Sequence, residues 1–461
     1  MTEKELLRIY SAAYDHLDRK NIYEVRNLAR AFGVVRVTST RKHDLIVYLI
    51  RLAAGLEELP PRSRRGARVK ADKASDASIA EVRRIIEDCK TSAPYPDFRE
   101  EEGMEFHDSA DRAFGYRDEC MVGLLELAPS GQGRLYTQEG SSEPVVPERL
   151  IREYGLREGD VVSGYVIPGK GTAPEIAQIA AVNGYPPVFS ERRRFEDFPA
   201  AYPNEKLCFG ACGSAVLKAA DLICPMGKGQ RALIVSPAGA GKTTFVREAA
   251  RSVAATSGAQ IHFVLLGQRP EERQELLEAV PSASVTDAPF DSSASRCVRA
   301  ARLAIEHAKR VAEEGKDAVV FIDSLAALIQ ALASGTQEGN AQAALLAVKK
   351  MFAAARRLEG GGSLTILATL PEDAQIADAC RELSAAANAV VYLSAEIAAS
   401  GIIPAVDFTR SFSRRADALY GAGGKARADT LLALAREGGT ARVLKELEKE
   451  TGAEESAHKE G

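Results

Sequence analysis

The most restrictive feature of this chain is a glycine-rich turn that follows an apolar run and precedes a helical pattern. The segment from residue 227 to residue 244 reads GKGQRALIVSPAGAGKTT. Glycines at 239 and 241 let backbone N–H groups approach an anion without interference from a Cβ atom, and a helix that begins near Lys242 points its positive end at the same place. A strand, a glycine turn and a helix in this order predict a phosphate-binding loop.

Two side chains of this turn have the chemistry that a nucleotide and its magnesium ion require. We expect Lys242 to reach the β- and γ-phosphates and the hydroxyl of Thr243 to bind Mg²⁺. Ser236 stands where the usual pattern has its first glycine. The predicted nucleotide-binding residues of the segment are Gly227, Lys228, Gly229, Gln230, Arg231, Ala232, Gly239, Ala240, Gly241, Lys242, Thr243 and Thr244.

Apolar runs recur along the second half of the chain at the spacing of a layered fold. They cover residues 232–235, 261–266, 318–322, 364–368 and 389–393. Helical patterns separate them, notably over residues 295–315. Strands that are buried on both faces read as continuous apolar runs, so this alternation predicts an α/β domain with a mostly parallel sheet.

Asp323 follows the third of these runs directly. A carboxylate at the carboxyl end of a buried strand beside a phosphate-binding loop is where a magnesium ligand belongs. Asp323 therefore joins Thr243 as a predicted metal ligand. The alternative is an aspartate that only caps the following helix.

Composition limits the class of protein. A chain of 461 residues predicts more than one domain, and 46% hydrophobic with 27% charged residues is typical of a folded protein. The net charge of −4 gives no general attraction to nucleic acid or to an anionic membrane. No apolar run approaches the roughly 18–20 residues that span a bilayer. We expect a cytoplasmic protein without membrane contact.

The first half of the chain changes pattern three times. Residues 1–55 have helical periodicity, and residues 56–118 form a basic, charged linker with one short helix predicted over residues 79–89. The linker either remains solvated or contacts phosphates. Residues 119–184 have short alternating segments broken by glycine and proline, a pattern that predicts a small β-barrel.

Several motifs in a fixed order resemble the bacterial transcription termination factor Rho family. They lie at residues 227–244, 264–272, 323–324, 361–366 and 404–408. The resemblance implies a helical N-terminal module over residues 1–55, a cold-shock/OB-like barrel over residues 119–184, a connector over residues 185–205, a RecA-like P-loop domain over residues 206–450 and a polar tail over residues 451–461. It further implies a hexameric ring that binds single-stranded RNA, hydrolyses ATP with Mg²⁺ between subunits and has RNA polymerase as a partner.

The same resemblance places the catalytic residues and shows where this chain departs from the family pattern. Gln268 stands where the family has the glutamate that polarises the attacking water. Arg269 matches a nucleotide-contacting arginine, and Arg414 matches the arginine finger, although a solvated surface arginine is the alternative. A second interface arginine of the family falls on Gly401, and an adenine-stacking aromatic residue falls on Ile403.

The family's RNA contacts are also altered. The base-stacking aromatic residues of the barrel fall on Gln132, Arg134 and Val145. Tyr136 lies nearby, but strand alternation favours an inward orientation over a stacking role for it. Of the two loops that face the channel in the family, the first is shortened here to residues 333–340. The second, residues 370–378, carries three carboxylates and no lysine, which predicts weak RNA translocation.

These observations favour an ATP-binding transcription termination factor of the RNA-dependent ATPase and helicase type, with weakened hydrolysis and translocation. The rival hypothesis is a degenerate paralogue that binds nucleotide as a structural ligand and regulates or co-assembles with an active ring. A third hypothesis is a nucleic-acid-binding module that uses Arg41, Lys42 and the basic linker.

Overall fold

The fold is described from a computed structural model. It describes residues 42–54, 120–128, 130–137, 143–169, 173–187, 192–335 and 340–459, together with six single positions between residues 14 and 29; the side chains of residues 451–459 are not described. The chain divides into two compact units, Met1–Gly115 and Tyr116–Gly461. The predicted short helix over residues 79–89 and the basic linker lie outside the described residues.

The first unit contains helix α1 (Lys42–Ala53). Its apolar side chains recur at helical spacing and are buried together with residues from the preceding helical positions. This core consists of Leu17, Val25, Leu28, Ala29, Leu45, Ile46, Val47, Leu49 and Ile50. Helix α1 lies within the segment of residues 1–55 whose periodicity predicts helix.

The second unit begins with a closed five-stranded barrel in the order β1-β2-β3-β5-β4. Inward-facing residues alternate with outward-facing ones, so one side of each strand fills the barrel interior. Its elements are β1 (Cys120–Leu127), β2 (Gly133–Tyr136), β3 (Val145–Val146), α2 (Glu148–Tyr154), β4 (Val161–Ile167) and β5 (Glu175–Val182). The predicted barrel is confirmed, and β3 is a strand too short to leave an alternating pattern.

The remainder of this unit is an α/β domain. Its first elements are β6 (Ala200–Ala201), β7 (Lys206–Leu207), α3 (Ala215–Ile223), β8 (Met226–Gly227), β9 (Arg231–Ser236), α4 (Lys242–Ser257), β10 (Gln260–Leu266), α5 (Pro270–Ala279), β11 (Ser284–Ala288), α6 (Ala294–Glu313) and β12 (Asp317–Asp323). Then follow α7 (Leu325–Ser334), α8 (Ala341–Phe352), β13 (Arg356–Leu358), β14 (Ser363–Pro371), α9 (Ala377–Ala386), β15 (Ala389–Leu393), α10 (Ala395–Ala399), β16 (Val406–Ser413) and α11 (Gly424–Lys459). Helix α11 is interrupted at Gly438 and Gly439 and extends to Lys459.

The main sheet has the path β11-β10-β12-β14-β9-β15-β16, with β13 paired to β14 and β6 paired to β13. Strands β11 to β15 of this path pair in parallel, and β16 closes the far edge in antiparallel pairing with β15. The five predicted apolar runs lie in β9, β10, β12, β14 and β15, and their helices cover both faces. The predicted α/β fold is therefore confirmed.

An ionic network joins the barrel to helix α6. Arg157 of the barrel binds Glu313 at 2.5 Å. Conversely, Arg299 of α6 binds two carboxylates of the barrel, Glu126 at 2.7 Å and Glu143 at 2.6 Å. These pairs are half-buried or more deeply buried, so they are screened less than surface pairs. The network holds the barrel in one orientation on the α/β domain.

A glycine allows the close approach of the two parts. Gly159 has φ +82°, and a Cβ atom there would lie 2.4 Å from the backbone carbon of Glu306 and 2.4 Å from the backbone nitrogen of His307. The carbonyl of Gly159 also lies 3.1 Å from Nδ1 of His307. The barrel therefore rests on the backbone of α6 at this position.

Within the described residues, none of the helices combines the length and the apolar character that a bilayer crossing needs.

Candidate nucleotide site

The glycine-rich turn lies between β9 and α4, as the sequence predicts. Helix α4 begins at Lys242, and Gly241 is its N-cap with φ +85°. A Cβ atom on Gly241 would lie 2.8 Å from Cγ2 of Ile403 and 2.9 Å from Cα of Pro404. Glycine is therefore required at position 241 both for its backbone angle and for this close packing.

A shared carboxylate lies beside the turn. Asp323 ends β12 and is 5% exposed. Its Oδ1 lies 2.8 Å from Nζ of Lys242 and accepts a hydrogen bond of 2.7 Å from the hydroxyl of Thr369, which is fully buried. The start of α4 and the strands β12 and β14 thus bring a cation, a carboxylate and a hydroxyl to one point at the carboxyl edge of the sheet, where ligands of open α/β sheets bind.

Gln268 belongs to the same edge. It follows β10 and donates a hydrogen bond of 3.4 Å from Nε2 to the backbone carbonyl of Asp323. Arg269 comes next, is exposed and is the N-cap of α5. The structure therefore places Gln268 beside Asp323. A neutral amide in this place can orient water, but it is a far weaker proton acceptor than a carboxylate.

The acidic loop after β14 is tied to this edge by an arginine. The backbone N–H of Glu372 donates to the carbonyl of Ser236 at 3.0 Å, and its carboxylate binds Arg410 at 2.6 Å. The guanidinium of Arg410 lies 4.4 Å above the ring of Tyr392. At the start of α9, directly after the loop, Asp378 binds Arg381 at 2.5 Å. These pairs compensate part of the negative charge that the sequence places in this loop.

The structure does not bring residues 227–231 to the turn. They lie at the amino end of β9, and a strand of six residues at about 3.3 Å per residue separates its two ends by about 16 Å. Lys228 binds Glu205 and, at 2.8 Å, Asp317 at the amino end of β12. Ala232 is fully buried within the strand. These contacts support the fold rather than a contact with nucleotide on the same chain.

Arg414 also lies at the amino edge of the parallel strands, because it follows β16, which runs antiparallel to β15. Its Nη2 donates to the carbonyl of Ala385 at 3.2 Å. Within one chain it is thus on the opposite edge from Lys242. Gly401 has φ +88°, and Ile403 is 44% exposed beside Gly241.

The predicted RNA-contact positions lie on the barrel, where Arg134 is exposed on β2 and Val145 is half-buried on β3. Tyr136 lies on the outer face of the barrel, because the neighbouring Leu135 fills the interior, so the inward orientation expected from the sequence is wrong. Its ring lies 5.2 Å from the guanidinium carbon of Arg299, and burial, followed by the charge of Asp287, raises the pKa of Tyr136. Tyr136 therefore contacts the α/β domain. The first channel loop, residues 333–340, is described only at its two ends.

The carboxyl edge of the sheet has oxygen donors of the kind that Mg²⁺ prefers. In the part of the chain that the structure describes, no group of three or more His, Cys, Asp or Glu side chains could hold a metal ion. The edge offers the hydroxyl of Thr243 at the start of α4 and the carboxylate of Asp323. Mg²⁺ prefers oxygen ligands and commonly takes the remainder from phosphates and water. The two residues therefore fit Mg²⁺ bound together with a phosphate group.

Thr369 is a site residue that the sequence analysis missed. It ends the apolar run of β14, where its hydroxyl is fully buried and bonded to Asp323. A threonine inside an apolar run reads as an ordinary strand residue. A buried hydroxyl needs a hydrogen-bond partner, and a carboxylate at the carboxyl end of the neighbouring strand can supply it. This requirement is the signal that could have identified Thr369.

The fold and the site define a P-loop nucleotide-binding domain. The model of the family described as "ATP synthase alpha/beta family, nucleotide-binding domain" matches residues 216–413. This range includes the glycine turn, Gln268, Asp323 and Thr369.

Two relatives with known names identify the family. The chain is 39% identical over 316 residues to the transcription termination factor Rho of Streptomyces coelicolor, covering 64% of this chain and 74% of that protein. It is 31% identical over 375 residues to the Rho of Borreliella burgdorferi, covering 76% and 72%. The chain belongs to the transcription termination factor Rho family. An ATP synthase subunit NeqB from Nanoarcheaum equitans superposes with a TM-score of 0.48 at 22% identity, over 56% of this chain and 69% of that one.

Proposed function

We propose that this protein is a Rho-type transcription termination factor that binds Mg-ATP at the carboxyl edge of its sheet. The observation that carries the proposal is the contact of Lys242 and Thr369 with one oxygen of Asp323, directly beside the glycine turn. Backbone N–H groups of the turn, the positive end of α4 and the ammonium group of Lys242 together favour a triphosphate.

Thr243 and Asp323 would hold Mg²⁺, which supplies positive charge to the phosphates. Lys242 is bound to Asp323 at 2.8 Å in the protein as described. Its ammonium group lies on a flexible stem and can turn from the carboxylate to a phosphate. Thr369 then keeps the carboxylate of Asp323 in place, because its hydrogen bond is independent of Lys242.

Hydrolysis is slow in this proposal because of Gln268. Loss of general-base assistance lowers a rate by about 10²–10⁴-fold. Gln268 lies beside Asp323, so a glutamate at this position would be close to the attacking water without any change in backbone. Arg414 lies on the opposite edge of the sheet, and it would act on the nucleotide of a neighbouring copy in a ring.

RNA is the substrate that the family relationship suggests, and the chain's contacts with it are weakened. Base stacking on an aromatic side chain contributes about 1–3 kcal/mol per base. The barrel has Arg134 rather than an aromatic residue on its exposed β2 surface, and Tyr136 contacts Arg299. We therefore expect RNA binding that is mainly electrostatic and that weakens steeply with salt.

Equilibrium titration of the full chain with Mg-ATP tests the nucleotide site. We expect saturable binding that Lys242→Ala weakens by about a hundredfold, because charge-assisted hydrogen bonds contribute about 1.5–3 kcal/mol each. Lys425→Ala is the matched control, since Lys425 is an exposed lysine that binds Asp417 at 2.8 Å in the same domain. Absence of saturable binding, or equal binding by the two variants, would contradict the proposal.

Gln268→Glu tests the catalytic part. We expect turnover in the presence of single-stranded RNA to rise by about a hundredfold or more, with nucleotide affinity nearly unchanged. Gln274→Glu adds the same charge on the exposed face of α5 and is the control. If Gln268→Glu does not raise turnover, the remaining machinery is also inactive.

If Gln268→Glu does not raise turnover, a second candidate function is favoured: a paralogue that binds nucleotide as a structural ligand and joins or regulates an active ring. The observation that supports it is the hydrogen bond from Gln268 to the backbone of Asp323, which gives the amide a structural partner. This candidate binds ATP with or without RNA, hydrolyses little in either case, and changes the activity of a ring that has the glutamate.

A further inference from the structure

Helix α11 changes its backbone conformation at a pair of glycines. Gly438 has φ −143° and ψ 18°, and Gly439 has φ +68° and ψ −169°, a conformation that is essentially restricted to glycine. The residues after the pair form the distal segment of α11, residues 440–459. Because the helical backbone is interrupted between the two parts, the direction of the distal segment is set by its own contacts with the α/β domain.

Few side chains anchor the distal segment. Among its side chains that the structure describes, Thr440 and Val443 are the buried ones, and two leucines pack partly buried against the core of the domain. Glu450 pairs with Arg427 of the first part of α11, but both side chains are more than a third exposed, and exposed ion pairs contribute little. A segment with so few buried contacts opens at a lower free energy than the core of the domain.

Thr440 joins the distal segment to the first residue of β16. Its hydroxyl donates a hydrogen bond of 2.6 Å to the backbone carbonyl of Val406, and Thr440 is 4% exposed. Thr430, in the first part of the same helix, instead donates to the carbonyl of Ala426 four residues earlier, as threonines in helices commonly do. The bond of Thr440 therefore connects the distal segment to the edge strand of the main sheet.

The residues directly before Val406 pack against the glycine turn. The backbone N–H of Ala405, which is fully buried, donates to the carbonyl of Ala240 in the turn at 3.0 Å. The Cα atom of Pro404 lies 2.9 Å from the position that a Cβ atom on Gly241 would occupy. Two consecutive residues, Ala405 and Val406, thus link the distal segment of α11 to the turn that is proposed to bind phosphate.

We propose that Thr440 is a positioning residue for the glycine turn, so that docking of the distal segment of α11 and binding of Mg-ATP stabilise each other. When the segment is docked, Thr440 holds Val406 in place, and the backbone of residues 404–405 supports the turn. When the segment is undocked, the turn is less ordered, and a nucleotide must order it as well as bind to it. By linkage, the nucleotide then favours the docked segment by the same factor. This coupling rests on the nucleotide site proposed above.

Titration of the full chain with Mg-ATP measures the effect of Thr440. Thr440→Val keeps the shape of the side chain and removes the hydroxyl, and it should weaken binding by about fivefold, a small coupling between two sites. Thr430→Val is the matched control and should leave the affinity unchanged, because its hydroxyl bonds within the helix. Thr440→Ser keeps the hydroxyl and should bind like the unmodified chain.

These titrations are made well below the unfolding temperature of each variant. A loss of stability alone then leaves the fraction of folded protein, and hence the apparent affinity, unchanged. If Thr440→Ser binds as weakly as Thr440→Val, the hydroxyl has no positioning role.

Hydrogen exchange of the unmodified full chain measures the reverse effect and needs no variant at Thr440. Saturating Mg-ATP should slow the exchange of the backbone amides of residues 440–450 by about fivefold, the factor that linkage requires. The amides of residues 425–435, in the first part of α11, should slow less. The same concentration of Mg-ATP should not slow residues 440–450 in the Lys242→Ala chain, whose nucleotide site is weakened.

Equal Mg-ATP affinities of Thr440→Val and the unmodified chain would overturn the coupling. So would an exchange of residues 440–450 that Mg-ATP slows no more than that of residues 425–435. If the unmodified chain does not bind Mg-ATP, the function proposed above fails, and the positioning role is decided without nucleotide. Thr440→Val should then speed the exchange of the turn, residues 238–243, relative to Thr430→Val, and equal exchange of the turn in these two variants would overturn the role of Thr440.

Discussion

The ammonium group of Lys242 lies 2.8 Å from Oδ1 of Asp323, although the two residues are 81 positions apart in the chain. The pair joins the helix after the glycine turn to the end of β12, and β14 contributes Thr369 to the same oxygen. Because Asp323 is 5% exposed, its charge needs these partners when no nucleotide is bound. The fold thus sets the position of the Asp323 carboxylate, the proposed magnesium ligand, before a nucleotide arrives.

Thr369→Val should weaken Mg-ATP binding by about tenfold. The substitution keeps the shape of the side chain and removes the hydrogen bond that fixes Asp323, a bond to a charged acceptor that contributes about 1.5–3 kcal/mol. Thr365→Val is the control, because Thr365 accepts a hydrogen bond from the backbone of Gly229 at the other end of β14. Both variants should lower the free energy of unfolding, but only Thr369→Val should change the ATP affinity. Equal ATP affinities would contradict this role.

The sequence was sufficient for the parts of the site that depend on local pattern. The glycine turn, the start of α4 at Lys242 and the position of Asp323 at the end of a buried strand follow from a strand, a turn and a helix in succession. Strands β9, β10, β12, β14 and β15 contain the apolar runs, and such runs can be recognised from sequence alone.

The remainder depends on pairing between distant segments. Strand β11 contains three polar residues among its five and is recognisable only by its pairing with β10. Strands β6 and β13 pair with each other, although they are separated by more than 150 residues. Tyr136 turns toward Arg299 because the barrel packs on α6, a contact that strand alternation alone does not indicate.

Gly241→Ala should abolish most nucleotide binding. A Cβ atom there would lie 2.8 Å from Ile403 and 2.9 Å from the backbone of Pro404, so the turn must move. Gly239→Ala is the matched control, because Gly239 also has a positive φ but has no atom within 4 Å of the added Cβ. Each variant bears about 1–2 kcal/mol of left-handed strain.

Titration with Mg-ATP should therefore show a loss for Gly241→Ala that exceeds that of Gly239→Ala by tenfold or more. Circular dichroism checks that both variants remain folded. If the two variants bind equally well, the contact of the turn with Ile403 and Pro404 has no part in shaping the site.

Gly159→Ala should disturb the packing of the barrel on helix α6. The added Cβ atom would meet the backbone of Glu306 and His307 at 2.4 Å, and φ is +82°. Overpacking against backbone costs about 1–3 kcal/mol or more in addition to the strain. Gly155→Ala is the control, because Gly155 has φ +57° and an added Cβ atom there would meet no atom within 4 Å. It therefore reports the backbone strain without the overpacking. Chemical denaturation should give a clearly lower unfolding midpoint for Gly159→Ala than for Gly155→Ala. Equal midpoints would show that the interface between the barrel and α6 accommodates the methyl group without loss of stability.

Asp221 should make the stability of the α/β domain depend on pH. Burial raises the pKa of Asp221 to about 6, against the opposing effect of Lys206 at 3.1 Å. The folded state therefore binds the proton more tightly than the unfolded state, in which an aspartate has a pKa of about 3.9. The contribution of this group to stability is fully present below pH ~4 and is lost as the pH rises through about 6.

The measurement is the free energy of unfolding from pH 4 to pH 7 for the unmodified chain and for Asp221→Asn. Because other carboxylates titrate in both proteins, the difference between them reports on Asp221. Relative to Asp221→Asn, the unmodified chain should lose on the order of 3 kcal/mol across this range, since one pKa unit corresponds to about 1.4 kcal/mol. The change should be concentrated between pH ~4 and ~6. A constant difference would mean that Asp221 keeps an ordinary pKa, and a difference of opposite sign would mean that its bond with Lys206 outweighs burial.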